Sequence, residues 1–195
     1  MLTFIHTSNN ADLRLVKGDH GVAGHAVLFF VGGMSAEDVD GDKEYADEEN
    51  LRGAYSTGCF GLPHKNGLAV YALELDDAHC PTILANMIEL DDRAFSEMIR
   101  AFGSEFEEQF GRPMTRGEAE AIFEDRDEFI WTEEGDRFEH YEIEDACWMV
   151  QGAQARAARR QGFLLVEGTD EQGTVYFADF TGRLEVFNDN VRRLA

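Results

Sequence analysis

The sequence predicts a single α+β domain in which strands near both ends of the chain enclose a helical middle. β-favouring runs occupy the first 75 residues, apolar residues recur at helical spacing from Pro81 to about residue 161, and β-favouring runs return after Gly162. The chain has 195 residues and 44% apolar content, enough for one core, and no Pro-, Ser- or Gly-rich linker divides it. We therefore expect one domain over residues 1–195 with a helical elaboration over about 82–161.

The N-terminal part predicts three strands. Leu2 to His6 is a short apolar strand, and Ala26 to Val31 is a second strand that follows glycines at positions 18, 21 and 24. Residues 68–75 predict the third strand, because Asn66-Gly67 directly before them favours a type I′ hairpin turn.

The middle of the chain predicts three helices. The first carries an apolar stripe at helical spacing, made of Phe95, Met98, Ile99, Phe102 and Phe106. It is expected to end at Gly111, which is followed by Arg112-Pro113. Thr115 with Glu118 fits a capping box at the start of the second helix. The third helix is predicted from roughly Glu142 to Arg160, with Gly162 as its C-terminal cap.

The C-terminal part predicts three further strands, Phe163 to Val166, Thr174 to Phe180 and Leu184 to Phe187. Residues 170–173 (Asp-Glu-Gln-Gly) predict the first turn between them, and Thr181-Gly182 the second. A hairpin turn needs its glycine, but it does not need Glu167, Asp170 and Glu171 together. These acids are either solvated turn residues of an acidic chain, or one of them does chemistry.

Charge is the strongest compositional signal. The chain has 39 acidic residues against 17 Lys and Arg, a formal net charge of −22, which repels nucleic acid and anionic membranes. Many of the acids lie in residues 37–49 and 124–145. They form either a solvated surface or a face that docks on a basic partner, including one built to hold nucleic acid. No apolar run is long enough to span a membrane, so we expect a cytoplasmic protein without direct nucleic-acid or membrane binding.

Several common sites are missing from the sequence. It contains neither a P-loop nor a Rossmann glycine fingerprint. Cys59, Cys80 and Cys147 are odd in number and widely spaced, so we expect free thiols rather than a disulfide framework. Cys59, His64, His79 and Cys80 fit no zinc-ligand spacing, and we expect no metal site.

The two ends of the chain resemble the ADP-ribosyltransferase fold of phage and bacterial toxins. The motifs that carry the resemblance are the opening TFIHTSNN, the glycine-bearing loop leading to GHAVLFFV, and the closing RRQGFLLVEGTDEQGTVYFADFTGRLEVFNDNVRRL. The same segments are similar to phage-encoded anti-CRISPR ADP-ribosyltransferases directed at the type I-F surveillance complex. The resemblance covers residues 1–35 and 155–192, and it implies a split β-sheet core with the middle helices inserted between the N-terminal and C-terminal strands.

The resemblance also implies an enzyme that uses NAD as a substrate and modifies a protein, in the cytoplasm of a bacterial host if the chain is phage-encoded. His6 would contact the adenosine ribose of NAD. The other implied contacts are Thr7 or Ser8 on the nicotinamide side, with Phe29 or Phe30, and Tyr45, stacking on the nicotinamide.

Asp170 is the catalytic residue that the resemblance implies, beside the bond that breaks. Losing nicotinamide leaves an oxocarbenium-like ribose, and a fixed carboxylate stabilises charge that appears only as that bond breaks. Glu167 either pairs with Asp170 across the turn or ends the strand. The E-x-E or Q-x-E pair of arginine-specific transferases is absent, and Thr7 stands where the family often has glycine. We expect His6 and Asp170 to face one cleft.

Two other functions remain open. One is a non-enzymatic acidic inhibitor that mimics nucleic acid and blocks a basic cleft of a partner such as a CRISPR surveillance complex. The other is a degenerate transferase fold that binds a ligand without turnover.

Overall fold

The computed structural model describes residues 2–8, 12–14, 27–34, 69–76, 78, 80–124, 146–170 and 173–193. The described strands are β1 (Leu2–Ser8), β2 (Val27–Met34), β3 (Ala69–Leu75), β4 (Thr82–Leu84), β5 (Leu165–Asp170), β6 (Gly173–Asp179) and β7 (Val191–Arg193). The described helices are α1 (Asp92–Phe110), α2 (Arg116–Phe123), α3 (Ala146–Arg160) and α4 (Leu184–Asn188), with a 3-10 turn at Ala85–Met87. The chain is therefore mixed α+β, and this prediction is confirmed.

The seven strands lie in the order β4-β5-β6-β2-β1-β3-β7. β4 and β5 are parallel, and the other pairs are antiparallel. Residues 27–30 of β2 pair with β6, whereas its residues 31–34 pair with β1. β2 therefore joins two groups of strands, one from the start of the chain with β7 and one next to the helices.

The first two predicted N-terminal strands are confirmed, and both extend further toward the C-terminus than predicted. β1 continues to Ser8, and β2 continues to Met34. β3 lies where the sequence predicts it and pairs with β1 and β7. Its predicted hairpin partner before Asn66 lies outside the described residues.

α1 is an amphipathic helix with defined ends. The Asp91 side chain accepts a hydrogen bond from the amide of Ala94, which caps the N-terminus. Four of its residues are buried, Ala94, Met98, Phe102 and Phe106. Gly111 ends the helix at φ 65°, a left-handed conformation that favours glycine. The predicted stripe and its stop are confirmed.

The caps predicted for the other two long helices are also confirmed. Thr115 and Glu118 form a reciprocal capping box at the start of α2, and Arg112 holds the Glu118 carboxylate through two hydrogen bonds. The amides of Gly162 and Phe163 donate to Arg159 and Ala158 at the end of α3, the pattern of a Schellman motif. Gly162 has a φ of 95°.

Three segments differ from their predictions. The strand predicted at Phe163 to Val166 is β5, which begins at Leu165 and continues to Asp170. The helical elaboration expected from about residue 82 opens with a strand: β4 pairs with β5, and the Pro81 carbonyl accepts from the amide of Leu164 at 2.8 Å. Leu184–Phe187, predicted as a strand, is helical in α4. Its Leu-Glu-Val-Phe sequence alternates like a strand, but Phe187 is fully buried and Leu184 and Val186 pack around it. One turn of helix brings all three to one core, which a strand cannot do.

The sheet separates two cores. The α3-side core packs α1, α2 and α3 against Val166, Val175 and Phe177. The α4-side core is formed chiefly by Phe4, Leu73, Leu165, Ala178, Phe180 and Phe187. Side chains of β6 alternate between these cores, as the strand period of two requires.

Candidate active site

A carboxylate and a phenol face each other on the β5–β6 hairpin. At the turn end of this hairpin Asp170 pairs with Gly173, and the same register places Glu167 opposite Tyr176. The Tyr176 hydroxyl donates a hydrogen bond to Oε2 of Glu167 at 3.1 Å. Both side chains are half-buried. Among the described residues, no donor reaches the other carboxylate oxygen, Oε1.

The Tyr176 ring reaches across β2 to the first strand. Its centroid lies 5.1 Å from that of Phe4, with the rings at 69°, an edge-to-face contact. β2 lies between the two strands and pairs Gly32 with Phe4. The ring contact therefore connects the hairpin to β1.

His6 belongs to the same face of the sheet. It follows Phe4 by two residues, and side chains two residues apart share a strand face. It is buried at 6% exposure and pairs in register with Tyr71, whose hydroxyl accepts from the amide of Leu13 at 3.1 Å. One face of the sheet therefore carries Glu167 on β5, Tyr176 on β6, and Phe4 and His6 on β1.

The local electrostatics keep Tyr176 protonated. Burial raises the pKa of Tyr176, and the negative charge of Glu167 raises it further. The phenol is therefore a neutral hydrogen-bond donor at neutral pH, and it fixes one oxygen of Glu167. The result is an oriented carboxylate at the edge of an apolar core, with a second oxygen that receives no hydrogen bond from the described residues.

The structure places the remaining predicted site residues by their backbone only. In register, Thr7 pairs with Val70, Ser8 with Ala69, Phe29 with Phe177, and Phe30 with Tyr176. The side chains of Thr7, Ser8, Phe29, Phe30 and Asp170 lie outside the described part of the chain, as does the whole of Tyr45. A shared cleft for His6 and Asp170 thus remains a prediction. Of the two predicted catalytic carboxylates, Glu167 is the one whose contacts are described.

Tyr176 is the site residue that the sequence analysis missed. The predicted turn at residues 170–173 already fixes the pairing of the strands that flank it. Carrying that pairing back by three residues from Asp170 and forward by three from Gly173 leads to Glu167 and Tyr176. The position of the turn alone was therefore enough to predict that Tyr176 lies opposite Glu167.

No family model matches this chain, and no curated protein matches it. Within the described residues, no helix combines the length and apolar character needed to cross a bilayer.

Proposed function

We propose that the protein is an NAD-dependent mono-ADP-ribosyltransferase that modifies a protein target, with a host-defence assembly such as a CRISPR surveillance complex as the target. The observation that carries this proposal is the half-buried Glu167 carboxylate, held by Tyr176 on the sheet face that carries His6. The resemblance implies the same types of residue, a histidine on the first strand and a carboxylate on the closing hairpin.

Glu167 is the stronger of the two catalytic candidates in this proposal. The hydrogen bond from Tyr176 places the Glu167 side chain on the face of His6, and this contact favours Glu167. Asp170 stays the second candidate, and the experiment below separates the two.

The proposed chemistry uses the carboxylate as an electrostatic catalyst. The bond between the nicotinamide nitrogen and the ribose breaks, and nicotinamide leaves with the electron pair. Glu167 stabilises the positive charge that develops on the ribose. A nucleophilic atom of the target protein then bonds to the ribose carbon and loses a proton, while His6 orients the adenosine end of NAD. Tyr176 holds the carboxylate without giving up its own proton.

Label transfer tests the proposal. Purified protein is incubated with biotinylated NAD and bacterial lysate, and transfer to proteins is quantified. Glu167→Gln is expected to lower the transfer rate by about 100-fold or more, because it removes the charge that stabilises the transition state. Asp170→Asn reports on the second candidate. Glu185→Gln, at an exposed acid on α4, is the matched control and leaves transfer unchanged.

Calorimetry with NAD separates the remaining outcomes. Binding of NAD without transfer supports the degenerate transferase fold. Absence of both binding and transfer contradicts the proposal.

The second candidate function is an acidic inhibitor that mimics nucleic acid. Glu105, Glu107 and Glu108 are exposed in the last turns of α1 and make no ion pair within the described residues. Glu107 and Glu108 lie in the last turn, where acids oppose the helix dipole at a typical cost of about 0.3–1 kcal/mol each. These exposed acids do not stabilise α1, and they are available to a basic partner. The segments 37–49 and 125–145, which hold many of the other acids, lie outside the described residues.

One assay distinguishes the two functions. The purified type I-F surveillance complex is tested for DNA binding with the protein, with and without NAD. Inhibition that requires NAD and is lost in Glu167→Gln supports the transferase. Stoichiometric inhibition without NAD, weakened by salt and by neutralising the acids of residues 37–49, supports the mimic. Absence of inhibition under either condition contradicts this choice of target.

A further inference from the structure

Two arginines connect the chain near the ends of α3 and β6, and one of them pairs with a buried carboxylate. Arg159, in the last turn of α3, donates from Nε to Oδ2 of Asp179 at 2.7 Å. Arg183, just after β6, donates back to the carbonyl of Phe163 at 3.0 Å. Arg159 thus links α3 to β6, and Arg183, between β6 and α4, links that segment to the connection between α3 and β5. We call this region the α3–β6 junction.

Both oxygens of the Asp179 carboxylate accept hydrogen bonds, and the carboxylate is buried. Its side chain has no exposed surface, and its Oδ1 accepts from the amide of Thr181 at 2.9 Å. One buried negative charge therefore faces two guanidinium groups. Burial lowers the pKa of Arg183, the positive charge of Arg159 lowers it further, and the negative charge of Asp179 opposes both effects.

The junction also leaves hydrogen-bond donors available. A guanidinium carries five N–H donors. Within the described part of the chain, Arg159 uses only Nε, and Arg183 uses one terminal nitrogen and makes no ion pair. The Arg159 side chain is 29% exposed, and Thr181 and Gly182 beside it are exposed, so solvent reaches the junction.

The other two described arginines of α3 each pair with a carboxylate of their own. Arg156 pairs with Glu97, and Arg160 makes two hydrogen bonds to Asp91. In a chain with 39 acids, a half-buried arginine without a carboxylate of its own is a local exception. The partial negative charge at the end of α3, about half a unit, does not balance the second cation.

We propose that Arg159 and Arg183 form a binding site for a phosphate-type oxyanion, either free phosphate or the phosphate group of a nucleotide. Guanidinium forks match the spacing of phosphate oxygens and form short, charge-assisted hydrogen bonds. The site lies at the end of β5 and β6 opposite the 170–173 turn, so the inference does not rest on the proposed transferase activity. A net charge of −22 repels anions at long range, so saturable phosphate binding requires a local site of this kind.

Calorimetric titration tests this site. Wild type is titrated with sodium phosphate, adenosine monophosphate and adenosine, against sodium chloride at matched ionic strength. Saturable binding of phosphate and of the nucleotide, but not of adenosine, is expected. Tighter binding of the nucleotide identifies a phosphate ester as the ligand, and equal binding identifies the free anion. Absence of saturable binding up to about 10 mM overturns the proposal.

Two variants of Arg183 and one control complete the test. Arg183→Met is expected to weaken phosphate binding at least tenfold. Arg100→Met removes the same charge from an exposed position on α1 and leaves the affinity unchanged. Circular dichroism checks folding, and if Arg183→Met fails to fold, Arg183→Lys decides: it keeps the charge without the fork and is expected to bind several-fold more weakly. An affinity equal to wild type in the folded Arg183 variants overturns the site.

Discussion

At the scale of single residues, Gly168 shows how closely β5 approaches the α3-side core. A Cβ atom at this position would lie 3.0 Å from Cε1 of Phe177, whose side chain is 1% exposed. The Phe177 ring is enclosed by that core and cannot move aside freely. Gly168 is therefore the residue that allows the strand to pack against the ring.

We expect Gly168→Ala to lower the free energy of unfolding by about 1–3 kcal/mol through overpacking. Gly117→Ala is the matched control, because a Cβ there meets nothing within 4 Å. Gly117 lies within α2, so its replacement is expected to raise stability by about 0.5–1 kcal/mol. Urea unfolding measures both variants, and a Gly168→Ala protein as stable as wild type would contradict the packing argument.

The candidate site was predictable in part from single residues. His6 and Glu167 were chosen from motifs, and the structure describes both side chains on one face of the sheet. The contact of Tyr176 with Phe4 could not be predicted, because it needs β2 to lie between β1 and β6. Strand order is set by long-range packing, and no local pattern encodes it.

At the scale of elements, Asp91 joins the start of α1 to the end of α3. It caps α1 and accepts two hydrogen bonds from Arg160 at 2.7 Å. The hydrogen bond from Arg160 is the largest cause that holds the pKa of Asp91 below its ordinary value of 3.8. A carboxyl whose pKa is lowered in the folded state stabilises the protein at pH above its unfolded value. That stabilisation disappears as the pH falls through the lowered folded value.

Asp91→Asn tests this link, because asparagine keeps an N-cap acceptor but loses the ion pair. The pair is partly exposed, so we expect a loss of only about 1 kcal/mol at pH 7. The difference between wild type and variant should shrink as the pH falls below about 4 and disappear once the pH has passed through the lowered pKa of Asp91. Urea unfolding across this range gives the measurement. A difference that stays constant with pH would assign the effect to packing rather than charge.

A second link between α1 and α3 is buried. Arg156 donates to Glu97 at 2.8 Å, and the two side chains are 9% and 10% exposed. Glu97→Leu leaves a buried guanidinium without its main partner, so we expect it to cost about 3–5 kcal/mol. Glu97→Leu with Arg156→Met removes both charges and should recover most of that loss. A double-mutant cycle by urea unfolding checks this, and additive losses would show that the charges do not interact.

Helix ends that are marked by capping residues were predicted correctly, whereas the short strands β4 and β7, which have no such local pattern, were not predicted. Gly111, Gly162 and the Thr115 capping box end or begin helices through contacts within a few residues, so the sequence alone reveals them. β4 and β7 have three residues each, too few for any periodicity to appear, and their pairing with distant strands decides their conformation. α4 was predicted wrongly because four residues fit both periods.

At the scale of the whole molecule, the net charge of −22 makes self-repulsion a general destabilising term. Raising the ionic strength from about 0.01 M to about 0.1 M shortens the Debye length from about 30 Å to about 10 Å and screens that repulsion. We expect the melting temperature to rise over this range of KCl, as measured by differential scanning calorimetry. A fall with KCl would show that local ion pairs outweigh the repulsion.

The position of β6 between β5 and β2 has a consequence for biosynthesis. β1, β2 and β3 are made within the first 75 residues and can pair with one another early, but residues 27–30 of β2 must wait for residues 176–179. Through most of translation the nascent chain therefore carries an open strand edge, the kind of surface that recruits chaperones or aggregates. Closing so long a loop also slows folding. The last strands to leave the ribosome are thus the ones that complete the sheet, and a chain truncated before residue 173 keeps that edge open.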